Sequence, residues 1–313
     1  MRVVFLGTPD FAVPSLRSIA ASRHEVVCVV TQPDRPRDRG RVSASPVKAE
    51  AEKLGLPVLQ FEKIVRDGGA DELAKYGADV MVTCAYGQIL DQRLLSLTRH
   101  GVINVHASLL PAYRGSSPIQ WAVINGEKTT GVTTMRTSLG LDRGDVIEQA
   151  SLDIGESETA GELFVRLADL GAELIVSTLD KLEAGTAVFT PQDESRASYF
   201  PMFRKESGLI DVNGTVTSFV NFVRGTSPWP GAYGKVDGKV FKIHRARAMR
   251  EDEPCPRRRY FPGEFAAFFG KLHLALIDGL AVLEEVQLEG GKKMSGEAFL
   301  LGHSDINGKT IEV

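Results

Sequence analysis

The sequence contains little cysteine. Only Cys28, Cys84 and Cys255 occur among its 313 residues, and they lie far apart. This spacing fits neither a disulfide framework nor a metal site made of paired cysteines. Cys28 and Cys84 sit inside short apolar runs, so we expect them to be buried core residues. A reducing cytoplasm is therefore the expected location.

The sequence also lacks a long apolar run and a strong net charge. No run approaches the ~18 residues that a membrane-spanning helix needs, and the apolar stretch at Met1–Gly7 is too short for a signal peptide. The formal net charge is −3, so the whole chain is not a basic nucleic-acid binder and RNA would need local basic patches. The hydrophobic content of 43% is typical of a globular protein.

The first part of the chain alternates short apolar runs with helical stretches. The runs Val3–Leu6, Val26–Thr31 and Val80–Cys84 are typical of strands that are buried on both faces. The helical stretches between them are Ala12–Ser22, Val47–Leu54 and Gln88–Leu97. This alternation predicts a doubly wound, mostly parallel sheet of the Rossmann-like class. The turn at Gly7–Asp10 lacks the GxGxxG pattern, which argues against a dinucleotide site.

The later part of the chain has a different pattern of apolar residues. Leucines at helical spacing predict one helix over 159–184, with a cap at Ser157 or Thr159. From about residue 207, the alternating segments Gly238–Ala246, Leu272–Ile277 and 278–288 predict a small antiparallel, OB-like β-barrel with one helix at Thr215–Gly225. We therefore divide the chain into a catalytic domain over 1–187, a linker over 188–206, and a C-terminal domain over 207–313.

Two polar residues interrupt an apolar strand at Gly101–His106. Asn104 and His106 are two positions apart, so they point to the same face of a strand. They also lie at its C-terminal end, where open α/β sheets bind their ligands. Burying them without partners is costly. They therefore indicate either a functional site or a hydrogen-bonded pair that anchors the following loop.

The residues around this pair resemble the folate-dependent formyltransferases. The resemblance rests on Asn104 and His106, on the loop Ser108–Gly115, and on the turn Leu141–Gly144. It implies that Asn104, His106 and Asp142 are catalytic, whereas Asp142 alone would read as a turn residue before a glycine. We expect the loop to contact folate through Ser108, Leu109, Leu110, Pro111, Tyr113, Arg114 and Gly115.

Further segments resemble the branch of this family that formylates initiator methionyl-tRNA. They are Gly7–Ala12, Thr31–Arg41, Pro118–Ala122, Gly131–Met135, Pro228–Tyr233, and Glu285–Leu288 with Lys293–Ser295. The resemblance implies 10-formyltetrahydrofolate as formyl donor, methionyl-tRNA as acceptor and a role in translation initiation. It also implies a monomer that needs no metal.

Basic residues in two regions are the expected tRNA contacts. They are Arg35, Arg37, Arg39 and Arg41 in one loop, and Lys242 and Arg245 in the C-terminal domain. Arginine suits phosphates and also stacks on exposed bases. The alternative is a solvated loop, because Asp34 and Asp38 partly neutralise these arginines.

Three other functions stay open at this point. The first is formylation of a nucleotide-linked amino sugar, since Tyr199–Pro201 is similar to relatives of that kind. The second is hydrolysis of 10-formyltetrahydrofolate, with water in place of the amine. The third is an RNA-binding or dinucleotide-binding module without formyl chemistry, against which the set of Asn104, His106 and Asp142 argues.

Overall fold

The structure is a computed structural model that describes residues 1–36, 42–254 and 258–313. Its contacts divide the chain into two compact units. The N-terminal unit contains Met1–Pro118, Thr129–Leu152 and Phe164–Phe200. The C-terminal unit contains Ile119–Lys128, Asp153–Leu163 and Pro201–Val313.

A seven-stranded sheet forms the centre of the N-terminal unit. The strands of this part of the chain are β1 (Arg2–Gly7), β2 (Glu25–Thr31), β3 (Arg35–Pro36), β4 (Val42–Ser43), β5 (Val58–Gln60), β6 (Val80–Cys84), β7 (Val102–His106), β8 (Arg114–Gly115), β9 (Thr129–Arg136), β10 (Val146–Asp153) and β11 (Tyr199–Phe200). The large sheet has the order β10-β9-β7-β6-β1-β2-β5. Strands β5, β2, β1, β6 and β7 are parallel to one another, and β9 is antiparallel to β7. The predicted mostly parallel, Rossmann-like sheet is confirmed.

The helices between these strands largely follow the predicted pattern. They are α1 (Val13–Ala21), α2 (Pro46–Lys53), α3 (Gly69–Ala74), α4 (Gln92–Leu95), α5 (Pro118–Ile124) and α6 (Ala160–Ala184). Helix α2 begins after Ser45, whose hydroxyl accepts from the Lys48 amide and so satisfies one of the free N–H groups of the first turn. The helix predicted over Gln88–Leu97 is wrong in extent. Its first residues are not helical: the Gln88 side chain bonds to the backbone of Phe61 and Ile64, and α4 begins only after Asp91, whose carboxylate accepts from the Leu94 amide.

The central strands are buried on both faces, as their composition predicts. Every residue of Val3–Leu6 and of Val80–Cys84 is buried. Cys28 and Cys84 are fully buried and unpaired, and burial raises the pKa of their thiols to about 11 and about 12 respectively. Such thiols are structural because the reactive thiolate form is suppressed. Cys255 lies outside the described residues.

The segment after α6 packs onto the N-terminal unit. Thr190 and Val146 exchange both backbone hydrogen bonds, at 2.8 and 2.9 Å. Farther along, β11 pairs in parallel with β8, with Tyr199 opposite Arg114 and Phe200 opposite Gly115. Part of the predicted linker 188–206 is therefore ordered against the sheet domain. The domain boundaries at 187 and 207 remain predictions.

The C-terminal unit is built on an antiparallel sheet. Its elements are α7 (Val216–Gly225), β12 (Ala232–Val236), β13 (Lys239–Ala248), β14 (Phe265–Phe268), β15 (Lys271–Ala275), β16 (Leu280–Leu288), β17 (Met294–Ser295) and α8 (Gly296–Gly302). The strand order is β12-β13-β16-β15-β14, with β17 paired to β16. The helix predicted at Thr215–Gly225 is confirmed, and Thr215 caps it. Edge-to-face contacts of Phe241 with Phe265 and Phe299 lie in its core.

Two local networks of charged and polar groups stabilise this unit. Thr159 and Glu162 bond reciprocally at the start of α6, which confirms the predicted cap and forms a capping box. Glu253 accepts bidentately from Arg247 and also from Lys271. These cations hold the pKa of Glu253 well below its usual range. Among the residues that the structure describes, no helix is long and apolar enough to cross a membrane.

Candidate active site

The strand β7 brings Asn104 and His106 to the C-terminal edge of the large sheet. Thr83 of β6 lies beside Asn104 on one side. On the other side Thr133 of β9 lies opposite His106. Both residues therefore lie at this edge of the sheet, where the sequence predicted them. His106 is buried and Asn104 is half-buried.

A hydroxyl group fixes the orientation of the Asn104 amide. Thr83 Oγ1 donates to Asn104 Oδ1 at 2.9 Å. The carbonyl end of the amide is thereby used, and the Nδ2 group keeps its two donor hydrogens. No acceptor for Nδ2 exists among the described residues. Asn104 is thus a positioned hydrogen-bond donor at the sheet edge.

The ring of His106 is held by a backbone carbonyl. His106 Nε2 bonds to the Tyr113 oxygen at 3.0 Å. A carbonyl oxygen can only accept, so Nε2 carries the hydrogen, and in the neutral ring Nδ1 carries the lone pair. Nδ1 lies 3.8 Å from Asp142 Oδ1. Nδ1 is therefore the atom of His106 that is available for proton transfer.

Asp142 reaches this place from a turn between β9 and β10. Its φ of 51° lies in the left-handed region, which is uncommon for residues other than glycine. The amide of Gly115 donates to Asp142 Oδ2 at 2.9 Å. The remaining oxygen Oδ1 faces His106 across a gap too long for a direct hydrogen bond. The three residues that the resemblance implied are thus brought together.

Two glycines allow the chain to pass closely around Asp142. A Cβ atom on Gly144 would lie 1.5 Å from the Arg136 carbonyl oxygen. Gly115 has a φ of 111°, and a Cβ there would lie 2.3 Å from the Phe200 oxygen. Any side chain at either position would displace the backbone that holds the carboxylate.

The loop that we expect to contact folate is fixed by a buried threonine. Thr133 Oγ1 donates to the Ser108 carbonyl at 2.6 Å and accepts from the Leu110 amide at 3.1 Å. Gln149 donates to Thr133 Oγ1 and to the Leu110 carbonyl, both at 2.9 Å. Ser108 Oγ closes the loop onto the Ala112 carbonyl. The loop is consequently a rigid wall, with Pro111 following a cis peptide bond.

The far end of the same loop is anchored on the segment after α6. The Tyr113 ring stacks on Phe200 at a centroid distance of 4.8 Å. The Arg114 side chain is fully buried and forms a bidentate ion pair with Glu194. It also donates to Gln192 Oε1. Arg114 thus supports the loop from behind, with its guanidinium engaged by protein groups.

The predicted tRNA contacts are described only in part. Arg37, Arg39 and Arg41 lie outside the described residues. Arg35 is exposed, lies 3.9 Å from Glu62, and lines a cavity of about 390 Å³. The cavity lies at the ends of β1 and β2, the sheet edge at which α/β folds bind ligands.

The two basic residues predicted on β13 differ in their surroundings. Arg245 is close to two carboxylates, at 3.1 Å from Glu162 and 3.9 Å from Glu285. Lys242 is exposed, and no carboxylate of the described residues pairs with it. Lys242 is therefore the freer of the two for contact with a phosphate.

Three residues of the site were not foreseen from the sequence. Thr83 is a polar residue in an apolar strand, the same signal that Asn104 and His106 gave. Thr133 lies in the threonine-rich strand β9, and no sequence signal distinguishes it from the threonines beside it. Gln192 lies in the expected linker, and its role depends on contacts about 50 residues distant in sequence. Within the described ranges no three His, Cys, Asp or Glu side chains cluster as metal ligands.

Comparison with known proteins decides the family. Residues 1–179 match the family model described as Formyl transferase, and residues 202–304 match Formyl transferase, C-terminal domain. The chain is 45% identical to the methionyl-tRNA formyltransferase of Lachnospira eligens over 97% of each protein. It is 46% identical to that of Solibacter usitatus over 96% of each. The chain belongs to the methionyl-tRNA formyltransferase family.

A solved structure supports the fold of this formyltransferase. The N-formyltransferase of Helicobacter canadensis, in complex with folinic acid and dTDP-3-aminofucose, has a TM-score of 0.66. It shares 19% sequence identity, and the match covers 93% of this chain and 99% of that one. At this identity the similarity concerns the fold alone. The family and the fold thus agree with the formyl chemistry that the sequence implied.

Proposed function

We propose that the protein transfers the formyl group of 10-formyltetrahydrofolate to the free amino group of initiator methionyl-tRNA, and so supports translation initiation. The observation that carries this proposal is the grouping of Asn104, His106 and Asp142 at one sheet edge. The near full-length identity to methionyl-tRNA formyltransferases supports the acceptor. Such a protein acts on tRNA in the cytoplasm, and we expect it to be a monomer.

The reaction makes one bond and breaks another. The lone pair of the amine attacks the formyl carbon, and the carbonyl electrons move to the oxygen, which gives a tetrahedral intermediate. That intermediate collapses with cleavage of the bond between carbon and N10. One proton leaves the amine nitrogen and one proton reaches N10, so the products are the formylated amine and tetrahydrofolate.

Asn104 and His106 are suited to the charge that develops in this step. The free Nδ2 group of Asn104 donates to the oxyanion, and a fixed donor of this kind stabilises the intermediate more than the planar formyl group. His106 exchanges protons at Nδ1, because Nε2 is committed to Tyr113. The ring can therefore both accept a proton from the amine and donate one.

Asp142 stabilises the charged imidazole. Its Oδ2 is held by Gly115, and its Oδ1 lies 3.8 Å from His106 Nδ1. A carboxylate at this distance attracts the positive charge that develops on the ring when it takes the proton of the amine. The attacking amine, or a water molecule, can bond to both groups only from beside the line that joins them, and from there it can pass its proton to either.

The wall formed by residues 108–115 is the proposed folate site. Ser108 and Leu110 are fixed by the Thr133 network, Pro111 follows the cis peptide bond, and Leu109 is half-buried. We propose that the pterin contacts Leu109 and the backbone groups of this wall. Tyr113, Arg114 and Gly115 then complete the site by holding the wall in place.

The tRNA is proposed to contact Arg35 and its neighbouring arginines, and the β13 face of the C-terminal unit. Lys242 is the stronger candidate there and Arg245 the weaker, because Arg245 already lies among carboxylates. Arg37, Arg39 and Arg41 remain part of the proposal on the resemblance alone.

We also propose that the C-terminal unit is an OB-like barrel. Its edge strands β12 and β14 both bond to the last residues of the chain. Lys235 and Glu312 exchange backbone bonds at 2.9 and 2.8 Å, and Phe265 donates to Lys309 at 2.8 Å. The segment 309–312 therefore lies between the two edges, where a closing strand would be needed.

One incubation tests the acceptor. The protein is mixed with 10-formyltetrahydrofolate and, in separate arms, methionyl-tRNA, a dTDP-linked amino sugar, or buffer alone. We expect formylmethionyl-tRNA in the first arm and no more than background in the others. Product with the amino sugar alone would favour the sugar enzyme, and tetrahydrofolate with formate in buffer alone would favour the hydrolase.

A further inference from the structure

Gln192 and Arg114 lie behind the turn that carries Asp142. Gln192 Nε2 donates to the carbonyl of Asp142 at 2.8 Å and to the carbonyl of Gly144 at 2.7 Å. Gln192 Oε1 accepts from Arg114 Nε at 3.1 Å and Nη2 at 2.7 Å. We infer that Gln192, oriented by Arg114, is a positioning residue that holds the Asp142 carboxylate beside His106.

The chemistry of the partners fixes the orientation of the Gln192 amide. A guanidinium group only donates hydrogen bonds, and a backbone carbonyl only accepts them. The amide therefore satisfies Arg114 and both turn carbonyls in one orientation and none of them in the other. Arg114 is itself fixed, because Glu194 accepts from both terminal nitrogens and the side chain is fully buried.

The turn needs such an anchor. Asp142 has a left-handed φ of 51°, which is unfavourable for a residue with a Cβ atom. Gln192 bonds to carbonyls on both sides of Arg143, so it spans the turn. From the other side the Gly115 amide holds the Asp142 carboxylate itself. Gly115 and Gln192 thus hold the turn on either side, and loss of the Gln192 bonds lets the carboxylate move away from His106.

The first test replaces the donor while keeping the shape. Gln192→Glu retains the length and the acceptor for Arg114, but places an oxygen against two carbonyl oxygens. We expect kcat for formyl transfer to fall about tenfold to a hundredfold, as small displacements of a catalytic group do, with KM little changed. Gln192→Met, which keeps the length without any donor, should behave alike. The matched control Gln92→Glu, at the exposed start of α4, should leave kcat within about twofold of wild type because it lies on the surface.

The second test separates positioning from stability. In a double-mutant cycle, Gln192→Glu should lower kcat less than about twofold in the Asp142→Ala background, because the carboxylate that Gln192 positions is absent there. Thermal melting of each variant checks that the fold persists. Losses that multiply in the Asp142→Ala background overturn the inference. So does unaltered kcat in both Gln192 variants, or loss of the folded state in both.

This inference rests on the role proposed for Asp142, and the same cycle distinguishes the two. An Asp142→Ala variant with wild-type turnover would overturn the proposed chemistry itself. An Asp142→Ala variant with strongly reduced turnover, beside a fully active Gln192→Glu, would overturn only the positioning role of Gln192.

Discussion

Removing the Asn104 donor is the most direct test of the oxyanion site. Loss of one such donor typically lowers turnover by about 10²–10³, or about 2.7–4 kcal/mol of transition-state stabilisation. Asn104→Ala also removes the bond to Thr83, which contributes about 0.5–1.5 kcal/mol to folding stability. The catalytic loss should therefore exceed the stability loss, and the variant should stay folded at 25 °C.

Asn104→Asp makes this test sharper because it keeps the shape of the side chain. The Thr83 hydroxyl can still donate to one carboxylate oxygen, while the other oxygen stands where Nδ2 was. We expect a fall in turnover at least as large as for alanine. If Asn104 served only to anchor the strand, Asn104→Asp would keep that anchor and turnover would change little.

Replacing Thr83, the partner of Asn104, shows how much turnover is lost when only the orientation of the amide is disturbed. A neutral bond of about 1 kcal/mol favours one amide orientation about fivefold, so its loss leaves roughly half of the molecules productive. Thr83→Val should therefore lower turnover no more than about threefold. The assay is the initial rate of methionyl-tRNA formylation with both substrates saturating, together with kcat/KM. Turnover of Asn104→Asp within about threefold of wild type would refute the assignment.

Three further outcomes follow from the geometry. His106→Ala and Asp142→Ala should each lower kcat strongly, and the double variant should be little worse than the more damaging single one, because the two groups act as a unit; fully multiplicative losses would separate them. Lys242→Ala should reduce by about one the slope of log affinity for tRNA against log salt, while Arg245→Ala changes it less; equal slopes for all three proteins would remove Lys242 from the interface. Since the pKa of Glu253 is lowered in the folded state, its contribution to the free energy of unfolding should be complete above its unfolded pKa of about 4.3 and should decline as pH falls below it. The difference in free energy of unfolding between wild type and Glu253→Gln should thus be constant from neutral pH to about 5 and should narrow in acid. Urea unfolding across this pH range measures it, and a difference that widens in acid would contradict the prediction.

The sequence predicted the parts of the site that depend on local periodicity. Asn104 and His106 were visible because a buried parallel strand should be apolar on both faces. Their shared face followed from the alternation of strand side chains. The mostly parallel sheet followed in the same way from alternating strands and helices.

The parts that depend on long-range contacts were not predicted from the residues. Asp142 looked like an ordinary turn residue until the family resemblance was considered, since its approach to His106 depends on Gly115 and Gln192. The overlong helix at Gln88–Leu97 failed for the same reason. Its polar first residue bonds to a distant backbone instead of continuing a helix.

The pairing of β11 with β8 has a consequence for cutting or grafting this protein. A fragment ended at Ala187 would contain the whole large sheet together with Asn104, His106 and Asp142. It would also lack Gln192, remove the acceptors of the Arg114 guanidinium, and expose an unpaired strand edge. We expect such a fragment to bind folate poorly and to aggregate, whereas one extended through Phe200 retains the pairing of β11 with β8 and the bonds of Gln192 to Arg114 and Asp142. Any chimera that exchanges acceptor domains should therefore be joined after Phe200.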